Sequence, residues 1–232
     1  MTLVPLGPNQ IAFLLHGAVW TVVLSLIACL GGGALGMVVA LCRVAPLRAV
    51  RAAAAVYIQA VQGTPPLVAM FLLYFGLPGL GLNVPSLLAA SLALIVNVSA
   101  FLGEIWRGCI ESVPRPQWEA AECLALSRTQ RMLRVILPQA VRIAIPPTVG
   151  FSVQVIKNTS LASVAGFVEL ARAGQIVNNS VFQPFLIYLL IAAIYFAMCF
   201  PLSWLNRVLE RRTGGWRRRP AALTAAIPVV SA

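Results

Sequence analysis

The chain has 232 residues, of which 60% are hydrophobic and only 10% are charged, and its mean hydropathy is +0.90. Because soluble domains carry about 25% charged residues, this composition excludes an ordinary soluble protein and indicates one that crosses a membrane several times. The formal net charge is +11, but the basic residues flank apolar runs and do not form one basic face, which argues against nucleic-acid binding.

Five apolar runs are candidate membrane spans, since about 20 apolar residues suffice to cross a bilayer. They cover residues 17–42, 64–77, 85–106, 146–168 and 185–205. The second run is short, and the segment RAAAAVYIQAVQG before it is typical of a helix lying at the membrane interface. Thr64 is a favourable N-cap for this span, and Pro65 suits a first helical turn.

The two ends of the chain fall outside these spans. We assign residues 1–16 to an extracytoplasmic segment, residues 17–212 to the membrane domain, and residues 213–232 to a basic cytoplasmic tail. The tail has no helical period, and we predict that it is disordered.

The placement of basic residues predicts the orientation of the spans. With five spans, fifteen arginines fall on one side, Arg172 on the other, and Lys157 within the fourth span, which accounts for all 17 basic residues (15 + 1 + 1). Since cytoplasmic loops carry the excess of arginine and lysine, we expect the N-terminus outside and the C-terminus in the cytoplasm. The fold predicted is therefore an all-α membrane protein with about five transmembrane helices.

A charged segment, residues 107–145, separates the third and fourth spans on the predicted cytoplasmic side. PQWEAAECLALS predicts a short helix, with Pro116 in its first turn and Glu119 and Glu122 near its positive end. A second helix is predicted from Ser127, which has capping-box spacing to Gln130. We expect Pro138 to end or kink that second helix, and Pro146 with Pro147 to open the next span.

A bare connection between two spans needs only a few residues, whereas this segment is far longer and has caps at defined places. It is therefore more typical of a docking element than of a linker. Its small residues Ala120 and Ala121, with Leu124, offer a face on which another protein could pack.

Polar residues inside the fourth span are costly in lipid and should face the bundle interior or a watery path. The residues concerned are Lys157, Asn158, Thr159 and Ser160. Glu104 in the third span is a possible ion-pair partner for Lys157, and such a pair could serve either structure or transport. Outside the spans, Glu169 and Arg172 either lie near a docking partner on the extracytoplasmic side or are solvated loop charges, and we favour the second interpretation.

Two short motifs remain open to more than one interpretation. The break QGTPP, which contains Gly63 and Thr64, has the form of an interrupted helix, and such interruptions mark solute paths in transporters. Gly32 and Gly36 have the G-x-x-x-G spacing of close helix contacts, which could lie within the chain or against a partner subunit.

The stretches EAAECLALS and VILPQAVRIAIPP resemble the EAA loop of ABC importer permeases. In chain order, GTPPLVAMFLLYFGLP, EIWRG, VILPQA, KNTSLASV and VEL further resemble the polar amino acid branch of that family. The resemblance extends over about residues 17–212. One departure is Ala125, where the family usually has glycine, and it would cost about 1 kcal/mol if the turn requires a positive φ.

The resemblance implies an importer subunit located in the bacterial cytoplasmic (inner) membrane. It implies that the EAA helix docks on an ATP-hydrolysing partner, with ATP and Mg²⁺ used by that partner and no cofactor or metal bound by this chain. The implied ATPase-coupling residues are Glu119, Ala120, Ala121, Ala125 and Ser127. The proposed substrate-path residues are Gly63, Thr64, Glu104, Lys157, Asn158, Thr159 and Ser160. Other implied partners are a second permease subunit, an extracytoplasmic solute-binding protein and membrane lipid, with no nucleic acid.

The main alternative is an autonomous channel or secondary transporter that works without an ATPase. The long capped segment between spans argues against it. An intramembrane enzyme is disfavoured because the chain has no aspartate, one histidine and no C-x-x-C pair.

Overall fold

The computed structural model describes residues 7–79, 81 and 83–214, and every regular element in those ranges is helical. The elements are α1 (Pro8–Arg43), α2 (Arg48–Gly63), α3 (Pro66–Gly79), α4 (Ser86–Glu111), α5 (Arg115–Cys123), α6 (Arg128–Gln130), a π-helical turn (Arg131–Ile136), α7 (Leu137–Asn158), a 3₁₀ segment (Thr159–Ala165), α8 (Leu170–Val181) and α9 (Pro184–Gly214). We call the π-helical turn the wide turn.

Four helical stretches among the described residues are long and apolar enough to cross a membrane. They are Pro8–Arg43, Ser86–Glu111, Arg128–Ala165 and Pro184–Arg212. Helices α2 and α3 are bent by 96° across a short break, and they add a fifth crossing if the pair counts as one span. The four to five candidate spans and the helical elements confirm the prediction of an all-α protein with about five spans.

Helix boundaries differ from the predicted ones in two places. The first helix begins at Pro8, so most of the predicted N-terminal segment is part of α1. The last helix continues to Gly214, while the remainder of the predicted tail lies outside the described residues. Helix α2 is tied to the middle of α4 by hydrogen bonds of Tyr57 and Gln62.

Prolines do not end the helical stretch of the fourth crossing, so of the predicted end or kink at Pro138 the end is wrong. The helical stretch runs without a break from α6 through Pro138, Pro146 and Pro147 to the end of α7. At Pro138 the wide turn adjusts the backbone, since the N–H of Leu137 donates to the carbonyl of Met132, five residues earlier. A π-helical turn of this kind accommodates a residue that a regular α-helix would exclude.

Helices α1 and α4 pack closely because glycines face the contact. A Cβ atom on Gly32 would lie 2.5 Å from the side chain of Val98, and one on Gly36 would lie 3.1 Å from the carbonyl oxygen of Ser99. Both distances are tighter than normal packing allows, so only glycine fits without a shift. The G-x-x-x-G motif therefore makes a contact within the chain.

Two buried clusters define the two ends of the bundle. The α8-end cluster consists of Leu14, Leu170, Ala173, Val177, Val181, Ile187 and Ile191. The α5-end cluster consists of Ile110, Val113, Ile136 and Ala140. The first joins α1, α8 and α9, and the second joins α4 to the wide turn and α7.

Candidate coupling surface and translocation path

Helix α5 presents an exposed face at its end of the bundle. Pro116 lies in its first turn, as predicted, and the side chains of Glu119 and Ala120 are exposed. Ala121 is turned the other way and is only 2% exposed, so it packs against the chain itself. Of the three predicted coupling residues that lie within α5, the structure therefore leaves Glu119 and Ala120 accessible to a partner.

A left-handed residue ends α5. Ala125 has φ +52°, and the N–H of Leu126 donates to the carbonyl of Ala121 across 3.3 Å. At a positive φ, alanine has a higher conformational free energy than glycine. The condition under which we predicted strain at Ala125 is therefore met. Ser127 then caps the next helix, because its hydroxyl accepts from the N–H of Gln130 at 3.3 Å, and the Gln130 side chain accepts from the N–H of Ser127 at 3.0 Å.

Helix α5 ends at Cys123, earlier than predicted, which changes the environment of its acids. Its first turn contains no acid, and Glu122 lies in its last turn instead of near its positive end. The helix dipole therefore does not stabilise Glu122. Its carboxylate instead forms an ion pair of 3.1 Å with Arg131 at the start of the wide turn.

The polar run at residues 157–160 marks the point where α7 changes into the 3₁₀ segment. The hydroxyls of Thr159 and Ser160 donate to the carbonyls of Ile156 and Lys157 at 2.7 and 2.8 Å. Thr159 is fully buried, whereas the side chain of Lys157 is exposed on the isolated chain. An exposed ammonium group within a span needs water, a ligand or a partner subunit around it.

Glu104 does not pair with Lys157, so that prediction is wrong. Its carboxylate binds Arg107 on the same helix and lies 3.6 Å from Arg43 of α1. The reason is depth: Trp106, near Glu104, donates to Thr148 at 2.8 Å, and Lys157 lies about 13 Å further along α7 at ~1.5 Å per residue. Glu104 thus belongs to an arginine-rich group near the α5 end.

The break between α2 and α3 contains Gly63 and Thr64. Gly63 is exposed, and the hydroxyl of Thr64 donates to the carbonyl of Ala60 at 2.8 Å. No hydrogen bond among the described residues joins either one to the polar run at residues 157–160. The proposed substrate-path residues therefore fall into three places: this break, the Glu104 group and the polar run.

Glu169 is fully buried, so its interpretation as a solvated loop charge is wrong. Its carboxylate caps α8 by accepting from the N–H groups of Ala171 and Arg172, both at 2.9 Å. It also accepts from the hydroxyls of Tyr195 at 2.9 Å and Thr21 at 3.4 Å. Burial raises the pKa of Glu169 above its usual range, although these four hydrogen bonds oppose that effect.

Little in the sequence pointed to this site, because Thr21 and Tyr195 lie far from Glu169 along the chain. Glu169 could have been predicted as an N-cap, because acidic residues are favoured at helix N-termini. That prediction required α8 to be recognised as a helix first. Arg172 is half-buried and donates to Gln175 on the same helix at 3.0 Å, so it too is less solvated than expected. Within residues 7–79, 81 and 83–214, no three side chains of His, Cys, Asp or Glu come together as a possible metal site.

Residues 32–215 match the family model described as the inner membrane component of binding-protein-dependent transport systems. The chain belongs to this family. It is therefore the permease subunit of an ABC importer, a multi-pass protein of the bacterial inner membrane that translocates solute and leaves ATP hydrolysis to a separate subunit.

Two curated relatives from Bacillus subtilis (strain 168) match nearly the whole chain. The probable amino-acid ABC transporter permease YckA is 35% identical, with 89% of this chain and 92% of YckA covered. The L-cystine transport system permease TcyB is 36% identical, with 84% of each covered.

Solved structures agree with the fold. A crystal structure of an amino acid ABC transporter with histidines contains a chain 33% identical to this one, with a TM-score of 0.83 over 88% of this chain and 95% of that chain. The MetNI methionine transporter, at 15% identity and a TM-score of 0.72, shows the same fold over 88% of this chain and 99% of its own.

Proposed function

We propose that this permease carries a polar amino acid or a close derivative into the cytoplasm. The support comes from the names of its relatives, which include permeases for amino acids and for L-cystine, and from the order of the branch motifs along the chain. The polar run at residues 157–160 is the proposed solute contact, together with the break at Gly63 and Thr64.

One structural observation best supports this function: the exposed helix α5 is followed by a continuous helical stretch that leads to the polar run. Glu119 and Ala120 are accessible on α5, and the helical stretch that follows is continuous from Arg128 to the polar run. In this proposal the ATPase docks on α5 and uses ATP and Mg²⁺, and its opening and closing alternate the access of the solute path. Ala125 and Ser127 shape the end of the docking helix.

The same proposal places the α5 end in the cytoplasm and the α8 end outside. The arginines near the ends of α1, α4 and α9 support this orientation through the positive-inside rule. A solute-binding protein would then deliver cargo at the α8 end, and a second permease subunit, identical or related, would complete the path.

Transport by a reconstituted complex tests the proposal. The permease, its co-purified ATPase and its binding protein are placed in proteoliposomes with labelled glutamine, cystine, arginine or histidine. We expect uptake of one of them to require ATP and the binding protein and to stop with vanadate. Uptake that follows an ion gradient and ignores vanadate would instead support the autonomous transporter.

A further inference from the structure

An apolar groove lies between α1, α4 and α7, near the α5 end of the bundle. Its volume is about 350 Å³, and its lining includes Met37, Trp106, Val141 and Ile145. Met37, Val141 and Ile145 are 38%, 50% and 43% exposed, so the groove is open along the outer surface of the chain. Met37 lies about 9 Å before Arg43, the last residue of α1, which places the groove within the apolar part of that span.

The chemistry of the groove excludes a polar solute. Among its lining residues, only Trp106 and Thr148 carry a side-chain nitrogen or oxygen, and the indole N–H of Trp106 donates to the Thr148 hydroxyl at 2.8 Å. That hydroxyl in turn donates to the carbonyl of Ala144 at 2.7 Å. A site for a polar ligand presents hydrogen-bonding groups that fix its orientation, whereas this groove presents apolar surface. An acyl chain suits such a surface.

The groove also lies on the opposite side of α7 from the polar run. Because an α-helix has about 3.6 residues per turn, Thr148 in the groove and Lys157 in the polar run are rotated by about 180° from each other. In the proposed function a second permease subunit completes the solute path, so it would approach from the Lys157 side. On that basis, which rests on the proposed function, the groove faces lipid.

Two arginines on the same helical stretch supply a charge for a headgroup. Arg142 lies on α7 within the length of the groove, and Arg134 lies eight residues earlier, toward the α5 end. Both side chains are exposed, and neither has a hydrogen bond or ion pair within the described part of the chain. By contrast, Arg43, Arg107 and Arg131 are paired with carboxylates. Guanidinium groups bind phosphate strongly, and basic pockets between membrane helices hold anionic headgroups.

We propose that this groove binds one anionic phospholipid. An acyl chain fills the space between α1, α4 and α7, and the phosphate binds Arg142, with Arg134 adding a second positive charge. Arginine side chains near a helix end extend toward the membrane surface, where the phosphate lies. The bound lipid closes a cavity at the junction of three spans and thereby stabilises the folded permease.

Native mass spectrometry of the purified complex, delipidated in mild detergent, tests the headgroup contact. Phosphatidylglycerol and phosphatidylethanolamine with identical acyl chains are compared, since the first headgroup is anionic and the second is zwitterionic. We expect one phosphatidylglycerol per permease chain, bound about tenfold more tightly than phosphatidylethanolamine. Arg142→Gln should weaken phosphatidylglycerol binding about fivefold, whereas Arg207→Gln, which removes an exposed cation of α9, should leave it unchanged.

A second variant tests the groove itself. Ala144→Phe fills the groove without removing a charge, and Ala193→Phe adds the same bulk to an exposed position of α9. Phosphatidylglycerol should raise the Tm of the wild type and of A193F but not that of A144F. If A144F fails to accumulate, R142Q decides the question.

Equal binding of the two lipids would overturn the inference, as would wild-type binding of phosphatidylglycerol by R142Q or by A144F. Separation of the two permease subunits in R142Q, with lipid binding unchanged, would make the groove a subunit interface and would also overturn it. Recovery of the wild-type chain without an ATPase would contradict the proposed function, and the lipid measurements would still decide this inference.

Discussion

Tyr195 donates a hydrogen bond of 2.9 Å to the carboxyl group of Glu169, and this bond joins α9 to the start of α8. Thr21 of α1 completes the site by donating to the same carboxyl group and by accepting from the N–H of Leu170 at 3.2 Å. Three elements thus meet at one buried carboxyl group. We expect this site to hold α8 against the bundle.

Glu169→Ala should destabilise the permease by about 2–4 kcal/mol, because it removes a helix cap and leaves the Tyr195 hydroxyl without its acceptor. Thermal unfolding in detergent measures the change. Glu119→Ala is the matched control, since Glu119 is exposed, and it should change stability by no more than about 0.5 kcal/mol. Equal effects of the two substitutions would contradict the role given to Glu169.

The pH dependence of stability should change in Glu169→Gln. Burial raises the folded-state pKa of Glu169 above the unfolded value of 4.5, so its protonation favours the folded state. Its contribution is complete below pH 4.5 and is lost as the pH rises through the folded pKa. The Tm of the wild type minus that of E169Q should therefore fall as the pH is raised from about 5 to about 8. A difference that is flat, or that rises with pH, would argue against a raised pKa.

Ala125→Gly should stabilise the permease by about 1 kcal/mol, because glycine accepts φ +52° without the steric cost that alanine has. Ala120→Gly is the contrasting variant, since Ala120 lies within α5, where glycine should cost about 1 kcal/mol. Chemical or thermal unfolding of the detergent-solubilised chain would show opposite signs. The same sign for both would mean that the turn at Ala125 does not limit stability.

Lys157→Met should reduce transport more strongly than it reduces the amount of assembled complex. Lys157 is exposed on the isolated chain and Glu104 does not neutralise it, so its charge is available to a solute path. Uptake per complex in proteoliposomes is compared with that of Arg207→Met, an exposed cation of α9. Failure of K157M to accumulate, with normal uptake by the molecules that do assemble, would assign Lys157 a structural role.

Local patterns predicted the elements that depend on neighbours in sequence. Hydropathy identified the apolar crossings, and the spacing of Ser127 and Gln130 identified a capping box that the structure contains. The possibility of a positive φ at Ala125 could be predicted, because the resemblance indicates that the family usually has glycine there. Glycine at a helix end is typical of a residue in the left-handed conformation.

Two of the errors have their physical origin in the positions of distant residues, and one has its origin in a local turn. Glu169 looks like a loop charge until Thr21 and Tyr195 are brought to it from α1 and α9. Pro138 looks like a helix end because the usual cost of proline assumes a regular α-helix, whereas the wide turn removes the clash. Glu104 and Lys157 do not pair because they lie at different depths, which the contact of Trp106 with Thr148 sets.

Glu119→Arg tests the docking role of α5. Glu119 is exposed, so the substitution should leave the membrane helices intact while it weakens ATPase attachment or separates ATP hydrolysis from transport. The readouts are the amount of ATPase that co-purifies and the ATP consumed per solute transported. Glu210→Arg, an exposed acid in α9, serves as the control. Coupled transport at the wild-type level in E119R would remove the docking claim.

This permease should work as the membrane subunit of an ATP-driven complex. To test this, the tagged chain is purified from its native membrane in mild detergent, and the proteins that accompany it are identified by mass spectrometry. We expect a co-purifying ATPase with a Walker motif, in stable ratio to the permease. A chain that is recovered alone, reproducibly and in several detergents, would contradict it.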